Sequence, residues 1–573
     1  MTTIRRSKVP SDPFSVLRLA TVLAPLALLP AALPLTAQPS PGAPPIFGET
    51  IDVRVINVEV VVTDKDGNPV LDLQPEDFVL EVDGDVTPID YFSEIRGGVA
   101  LEAKPTAGEE DSGRSPSGLP SIAPGEIVPT SYLLFIDDYF SISRDRNQVL
   151  DGLMDQLPLL GPNDRMAVVA YDGRGIDMLS SWSQSTKDLR RVLGDAKVRK
   201  AYGLNRFGEL RFFDTVDNLG ETLFFSRQPF ELTFQERQYA QELSQQIERA
   251  VTAAASTLRG FASPPGRKVM ILLSGGWPYS PGEYAANDPG LAILDSTVPR
   301  GDEIYEPLTR TANLLGYTVY TVDTPGLSAE SQADASLSNV NVTQAQLSFR
   351  ENLDEESLQF VAEETGGRAL INGARLDAFA SAVQDTRTYY WLGFDSERRG
   401  DDKERSIKVS VRGKGFKVRT RESFQDLSRS QEVDLAVESA LLFGSPPGFD
   451  NLPIGAGEPQ RSGRRFLLIP VQVAIPVKEV TFVPQGDKWL GKVELRIAVV
   501  SEGGDQSEIP IIPLDFELDE KPKPDQYIPY QTTVRVRNQR QRIIVALYDL
   551  IGNSLHSNTL DLRPVDKKKQ KGS

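Results

Sequence analysis

The 573-residue chain has no cysteine and one histidine, His556. Without cysteine there is no thiol nucleophile, disulfide framework, iron–sulfur cluster or zinc ribbon, and imidazole zinc sites normally take two or three histidines. A serine triad would have to recruit His556, but this residue follows Gly552-Asn553-Ser554-Leu555, which reads as the turn and start of a β-hairpin. It is expected to be a solvent-facing strand residue. Basic charge is also in short supply: 62 Lys+Arg against 80 Asp+Glu give a net charge of −18. Nucleic-acid binding is dominated by clustered Lys/Arg, so no nucleic-acid partner is expected. What survives is carboxylate or hydroxyl chemistry, hard-metal binding through oxygen, or no catalysis.

Long apolar runs are equally scarce. The one near the start, residues 19–35, is broken by Pro25, Pro30 and Pro34, preceded by Arg5, Arg6, Lys8 and Arg18, and followed by Thr36-Ala37-Gln38. A spanning helix wants about 20 apolar residues, whereas a basic flank, a short apolar run and a small residue make a secretory signal. Residues 1–37 therefore read as a signal peptide, with an uncleaved anchor as the alternative. The expectation is an extracytoplasmic chain (periplasmic, cell-surface or secreted) with no membrane insertion after signal removal. At this length about three or four domains are expected, each resting on burial without disulfide staples.

Period-two alternation marks residues 51–62 as a half-buried strand. The turn Asp64-Lys65-Asp66-Gly67-Asn68-Pro69 and short strands at 78–82 and 89–92 follow. Residues 50–97 thus form an amino-terminal β module, and the Pro/Gly/Ser/Glu-rich stretch 98–129 a linker. From 130 to 387 apolar strands alternate with helical periodicity, as in a doubly wound α/β sheet whose ligand site lies beyond the carboxyl ends of the strands. One helix carries Leu243, Ile247, Ala250, Val251, Ala254 and Leu258 at face spacing. A Phe-rich insertion at 202–234 reads as aromatics tucked onto the domain surface, with an exposed partner patch as the alternative. Strands return at 388–425 and could complete the amino-terminal module. A helix and linker at 426–462, a β-sandwich-like domain at 463–563 and a basic tail at 564–573 complete the expected order.

The end of the first α/β strand, Asp137-Asp138-Tyr139-Phe140-Ser141-Ile142-Ser143, together with the order of elements, resembles a von Willebrand factor A domain. That resemblance implies a metal-ion-dependent adhesion site opened by Asp-x-Ser-x-Ser, with Mg²⁺ or another divalent cation in an all-oxygen shell. The chain departs from the pattern in either register. With Asp137 as the carboxylate, Tyr139 stands at the first Ser and Ser141 at the second; with Ser141 and Ser143 as the pair, Tyr139 replaces the Asp. Gly275, in Leu273-Ser274-Gly275-Gly276-Trp277, stands where the family carries a later carboxylate, and the remaining hydroxyl falls to Ser183 or Ser185. The candidate metal ligands are accordingly Asp137, Ser141 and Ser183. The competing reading makes Asp137 and Asp138 helix-capping, solvent-facing residues.

Further phrases, Val60-Val61-Val62-Thr63-Asp64, Leu73-Gln74-Pro75-Glu76-Asp77-Phe78, Ala362-Glu363-Glu364-Thr365-Gly366-Gly367-Arg368 and Tyr389-Tyr390-Trp391-Leu392-Gly393-Phe394, are similar to VWFA-related proteins of the acidobacterial type over roughly 50–424. This resemblance implies an exported, non-enzymatic protein; the A-type order of elements, together with the poverty of catalytic side chains, adds the expectation that it adheres to another protein or a cell-surface polymer. The alternatives are a Ser/Asp-based extracytoplasmic hydrolase and a structural envelope component. Glu355-Glu356 and Glu363-Glu364 do not make a hydrolase dyad, because adjacent residues on a helix point in different directions.

Overall fold

The computed structural model describes residues 54–101, 125–213 (apart from 207 and 211), 232–261, 266–286, 297–326, 344–396, 401–428, scattered positions of 430–437, 452–501 (apart from 464 and 487) and 509–562 (apart from 553). The expected signal peptide, most of the first linker, most of the Phe-rich insertion and the basic tail lie outside the described residues. Among the described residues no helix is long and apolar enough to cross a membrane. The architecture is mixed α/β with several antiparallel sheets.

The amino-terminal strands are β1 (Arg54–Thr63), β2 (Phe78–Val82), β3 (Asp85–Thr87), β4 (Tyr91–Arg96) and β5 (Val99–Ala100). The chain returns to them more than 280 residues later with β12 (Thr388–Ser396), β13 (Glu404–Val411), β14 (Lys417–Arg419) and β15 (Ser423–Gln425). Strand β12 lies between β1 and β4, antiparallel to both, with Val58 opposite Leu392, and β13 pairs with β2. Two sheets of order β14-β1-β12-β4-β5 and β15-β13-β2-β3 result. Val58, Val60, Phe78, Leu80, Tyr390 and Leu392 share their core. The turn after β1 is closed by Asp64, whose Oδ1 accepts from the Asp66 and Asn68 backbones, both at 2.9 Å.

Between the two halves runs a six-stranded sheet: β6 (Thr130–Asp137), β7 (Arg165–Tyr171), β8 (Ile176–Ser183), β9 (Arg267–Ser274), β10 (Tyr317–Asp323) and β11 (Ala369–Leu370). Its order is β11-β10-β9-β6-β7-β8, parallel except for β8, which runs antiparallel along β7 at the edge. Both faces are covered, which is why its strands read as continuous apolar runs. Leu133, Phe135, Ala167, Val169, Met270 and Leu272 face one core. There they meet α3 (Phe234–Gly260), α4 (Pro281–Ala285), α5 (Gly301–Leu315) and α6 (Gln344–Glu364). The alternate residues Leu134, Ile136, Val168 and Ile271 face α1 (Ser143–Gln156), α2 (Thr186–Lys197) and α7 (Ala378–Arg387). Helix α3 starts in a capping box, Thr233 with Glu236, and buries the Leu243-to-Leu258 stripe that its spacing predicts.

The carboxy-terminal strands are β16 (Ile454–Ala456), β17 (Gln460–Ser462), β18 (Phe466–Pro476), β19 (Phe482–Gln485), β20 (Lys488–Ser501), β21 (Ile511–Leu518), β22 (Tyr527–Arg537), β23 (Gln541–Asp549) and β24 (Ser554–Leu562). They form two sheets around Val471, Val473, Leu495, Ile543 and Val545. The segment expected as helix and linker contributes β16 and β17, and Leu452 is fully buried in this core. Short strands flanked by Pro and Gly carry too little periodicity to be told from a linker. His556 lies on β24 opposite Leu547, with its side chain 13 % exposed and 3.5 Å from Glu479, so it is not the solvent-facing residue its turn context suggests.

Candidate functional site

The sheet changes direction of growth at β6: β7 is added on one side, and after β8 the chain crosses to place β9 on the other. At such a switch point the loops leaving the carboxyl ends of neighbouring strands part and open a crevice. Asp137 ends β6 and Ser274 ends β9, so these two strand ends meet at the switch point, where both residues are buried.

Asp137 is completely buried. Its Oδ1 accepts from the backbone N–H of Tyr139 (3.0 Å) and Phe140 (3.1 Å), and its Oδ2 from Ser274 Oγ (3.1 Å) and the Trp277 indole Nε1 (2.7 Å). Four donors occupy the roughly four lone-pair directions of a carboxylate. Burial nevertheless pushes its pKa up to about 6, against the pull of these hydrogen bonds and of Arg206. Trp277 is itself fully buried and stacks 6.1 Å from Tyr305, whose hydroxyl donates to the Trp277 and Pro278 carbonyls. The loop after β9 is therefore clamped from both sides.

Asp138 is also fully buried rather than solvent-facing, and helix α1 takes Ile142, not an aspartate, as its N-cap. Its carboxylate is held by Arg146 Nη1 (2.5 Å) and Arg199 Nε (2.8 Å). Burial pushes its pKa up, while the two arginines oppose the shift. Arg146, itself inaccessible, also donates to the Lys197 and Arg199 carbonyls and so fixes the loop after α2 against the loop after β6.

The three residues singled out as ligands do not converge. Ser141 is buried near Asp137, and its Oγ lies 3.4 Å from Thr324 Oγ1 at the end of β10. Ser183 pairs with Met166 near the start of β7, whereas Asp137 pairs with Tyr171 at its end. The antiparallel run of β8 thus carries Ser183 to the opposite end of the strands, where its Oγ accepts from the Ser185 N–H. Ser185 caps α2. Gly275 leaves no room for a carboxylate, since a Cβ there would stand 2.0 Å from the Phe140 carbonyl oxygen. At Gly276, with φ +107°, an added Cβ would stand 2.7 Å from the Asp354 carboxyl carbon.

A divalent cation requires oxygens with free lone pairs. Those of Asp137 and Asp138 are committed to N–H and O–H donors, Gly275 bars a further carboxylate, and a guanidinium already faces the floor. Arg206 Cζ lies 3.9 Å from the centre of the Phe140 ring, with Nη1 3.5 Å from the Gly276 carbonyl. Among the described residues no group of three or more His, Cys, Asp or Glu side chains is placed to hold a metal ion. These residues do not fit Mg²⁺.

Sequence reasoning missed Trp277, Arg206 and Asp354. Asp354 on α6 contributes an Oδ1 that accepts no hydrogen bond among the described residues. Burial pushes its pKa up to about 8, partly offset by Arg206. Only Trp277 carried a signal, as a lone tryptophan directly after a Gly-Gly strand end. Around the mouth, Tyr139 lies 6.4 Å from Tyr202, and Lys200 Nζ sits 4.6 Å over the Tyr202 ring. Of the Phe-rich insertion, Phe213 is buried and stacked 4.5 Å from Tyr239, while Phe212 is 73 % exposed.

The Trp277→Phe variant keeps a smaller aromatic ring and removes the indole N–H; the charge-assisted hydrogen bond lost from Asp137 is worth about 1.5–3 kcal/mol, beside a pH-independent packing loss. A buried carboxyl with a raised pKa stabilises the fold below its unfolded value near 3.8, and that contribution is lost as pH rises through about 6. Trp277→Phe pushes this pKa further up, so its destabilisation is expected to be larger at pH 8 than at pH 4.5. Urea unfolding of both proteins at the two pH values measures this; equal losses at both would remove Trp277 as the partner of a charged Asp137.

No protein-family model matches the chain, and no curated protein does. Among solved structures, a Northeast Structural Genomics Consortium target, SoR45, aligns at 14 % identity over 20 % of this chain and 88 % of its own, with a TM-score of 0.14. The pilus adhesin SpaC from Lactobacillus rhamnosus GG aligns at 8 % identity over 76 % of this chain, with a TM-score of 0.25. This chain spans 56 % of that adhesin's length. Likeness at this level carries no argument about function.

Proposed function

We propose that the chain is an exported, non-enzymatic interaction module whose six-stranded unit is a von Willebrand factor A-type domain, and that it engages an acidic group of a protein or cell-surface polymer without a metal. The strand order with its antiparallel edge, and Asp137 at the end of the first strand, support the domain reading. The carrying observation is the rim. On a chain of net charge −18, the segment after α2 sets the exposed Lys200 and the half-buried Arg206 against the aromatic faces of Tyr202 and Phe140, beside the ends of β6 and β9. A guanidinium over a ring keeps donors free for a partner carboxylate while its charge is held in place. Arg206 thereby supplies the positive charge that a cation would otherwise bring.

The hydrolase alternative finds little support. Ser141 Oγ is inaccessible and faces the Thr324 hydroxyl rather than a base, and Asp137 is saturated with donors. Selection of a displayed random-peptide library on the immobilised intact chain, with EDTA present, tests the proposal. Enrichment of Asp/Glu-bearing peptides by the native chain, and loss of that enrichment with Lys200→Glu/Arg206→Glu, is the expected result. Enrichment that requires Mg²⁺, or that survives the double substitution, would overturn it.

A further inference from the structure

The five most exposed large apolar side chains among the described residues are Val86, Val198, Leu204, Phe212 and Phe234, and the last four fall between 198 and 234. Single exposed apolar residues need no explanation, but a concentration of them marks an interaction surface. This one adjoins Lys200 and Arg206.

Residues 203–206, 208–210 and 212–213 are helical. Gly203, Leu210 and Phe213 are buried, and the half-buried Arg206 falls on the same side at helical spacing. Leu204 and Phe212, 64 % and 73 % exposed, lie on another side with Gly208 midway between them, four residues from each. An added Cβ at Gly208 would meet nothing within 4 Å, so the stripe consists of two apolar side chains with an open notch between them. At about 1.5 Å of rise per residue it is about 12 Å long.

Both ends of the stripe are anchored. At the start, the Tyr202 N–H donates to the Asp138 carbonyl (2.8 Å) and the Gly203 N–H to the Ser141 carbonyl (2.9 Å). At the far end, Phe213 stacks 4.5 Å from Tyr239 on α3, the helix whose first residue is the exposed Phe234. A face held at both ends and left apolar is preorganised for a partner. Its charge is polarised too, with the exposed Lys200 before the start and the exposed Glu209 in the far half.

We propose that this face is the docking surface for an amphipathic segment of a partner protein, which seats apolar side chains over Leu204, Gly208 and Phe212 and a carboxylate at the Lys200 end. The carboxylate end rests on the function proposed above. The apolar stripe adds that the acid is carried by a polypeptide, because a polysaccharide has no side chain to fill the notch at Gly208. An anionic lipid surface is a poorer match, since Glu209 on the exposed side repels its headgroups.

Selection from a displayed random-peptide library on the intact chain, with EDTA present, tests the proposal when the enriched peptides are read for composition. Peptides that combine Asp or Glu with Leu, Ile, Phe or Trp are expected. The affinity of their consensus peptide is expected to fall about tenfold or more in Leu204→Ser/Phe212→Ser, and likewise in Gly208→Leu, which fills the notch. Both variants are expected to keep the native melting temperature, because the replaced side chains are exposed and the added one meets open space. Acidic peptides without apolar residues, or affinity unchanged in both variants, would overturn this docking face and leave the acidic reading of Lys200 and Arg206 standing. Apolar peptides that lack an acid and ignore Lys200→Glu/Arg206→Glu would overturn that reading together with the polarity assigned here. A lowered melting temperature of Leu204→Ser/Phe212→Ser would show that the chain itself covers the face. Binding to phosphatidylglycerol vesicles that is lost in that variant, with no peptide enriched, would assign the face to lipid. Either result overturns the proposal.

Discussion

Replacing Gly275 by aspartate, the residue the von Willebrand pattern would place there, is expected to destabilise the α/β unit by at least about 3 kcal/mol and to create no Mg²⁺ binding. All three atoms nearest an added Cβ are backbone: the Phe140 carbonyl oxygen at 2.0 Å, its carbon at 2.7 Å and Ser141 Cα at 2.9 Å. No rotamer change relieves such contacts, so the loop after β6 or the loop after β9 must move. Either movement breaks the grip of Trp277 and Ser274 on Asp137. Gly194 on α2, where an added Cβ meets nothing within 4 Å, is the control, and Gly194→Asp is expected to cost less than about 1 kcal/mol. Guanidinium unfolding followed by tryptophan fluorescence compares the two. Equal losses would mean that the tight approach of the loops is not what excludes a carboxylate.

The second large effect is expected where the sandwich meets the inserted α/β unit. Arg267, 1 % exposed at the start of β9, lies 2.8 Å from Glu59 Oε2 on β1. Its Nη1 donates to the Asp385 carbonyl at 3.0 Å, and its guanidinium lies 4.2 Å from the centre of the Tyr389 ring. Burial pushes the Glu59 carboxyl up, while Arg267, Arg421 and Lys268 pull it back. A buried pair adds little against a well-packed apolar substitute, but removing one member strands the other and costs about 3–5 kcal/mol. Arg267→Met alone should therefore lower stability by that amount, and Glu59→Gln/Arg267→Met should recover a large part of it. Thermal unfolding of the two single variants and the double variant forms the cycle; additive losses would show that the two side chains act independently.

Much of the architecture was legible in the sequence because periodicity reports burial directly. The continuous apolar run 132–136 and the stripe from Leu243 to Leu258 are what a two-sided sheet and its covering helix require. Strands β16 and β17 were not legible, since three-residue strands next to Pro and Gly leave no period to count. The position of Asp137 at a strand end was legible too, but its surroundings were not. Which residues share a crevice depends on strand order and direction. The antiparallel run of β8 sends Ser183 away, while a loop and helical segments distant in sequence bring Trp277, Arg206 and Asp354 in. The sequence offered Asp137 as a metal ligand or, in the competing reading, both aspartates as solvent-facing caps, because a charged pair at a strand end shows nothing of its partners. Only the structure supplies Arg146 and Arg199 for Asp138, and four neutral donors for Asp137.

The same inventory that excludes thiol and imidazole chemistry thus leaves a floor of carboxylates occupied from within and a rim of cationic and aromatic side chains. The most direct test of a metal-free crevice uses the Trp277 indole N–H, whose nitrogen lies 2.7 Å from Asp137 Oδ2. In a ¹⁵N-labelled sample, with this resonance assigned by its loss in Trp277→Phe, Mn²⁺ is titrated into the intact chain. A signal that keeps its intensity through millimolar Mn²⁺ is the expected result. Selective disappearance of that signal at sub-millimolar Mn²⁺ would place a metal at Asp137 and contradict the account.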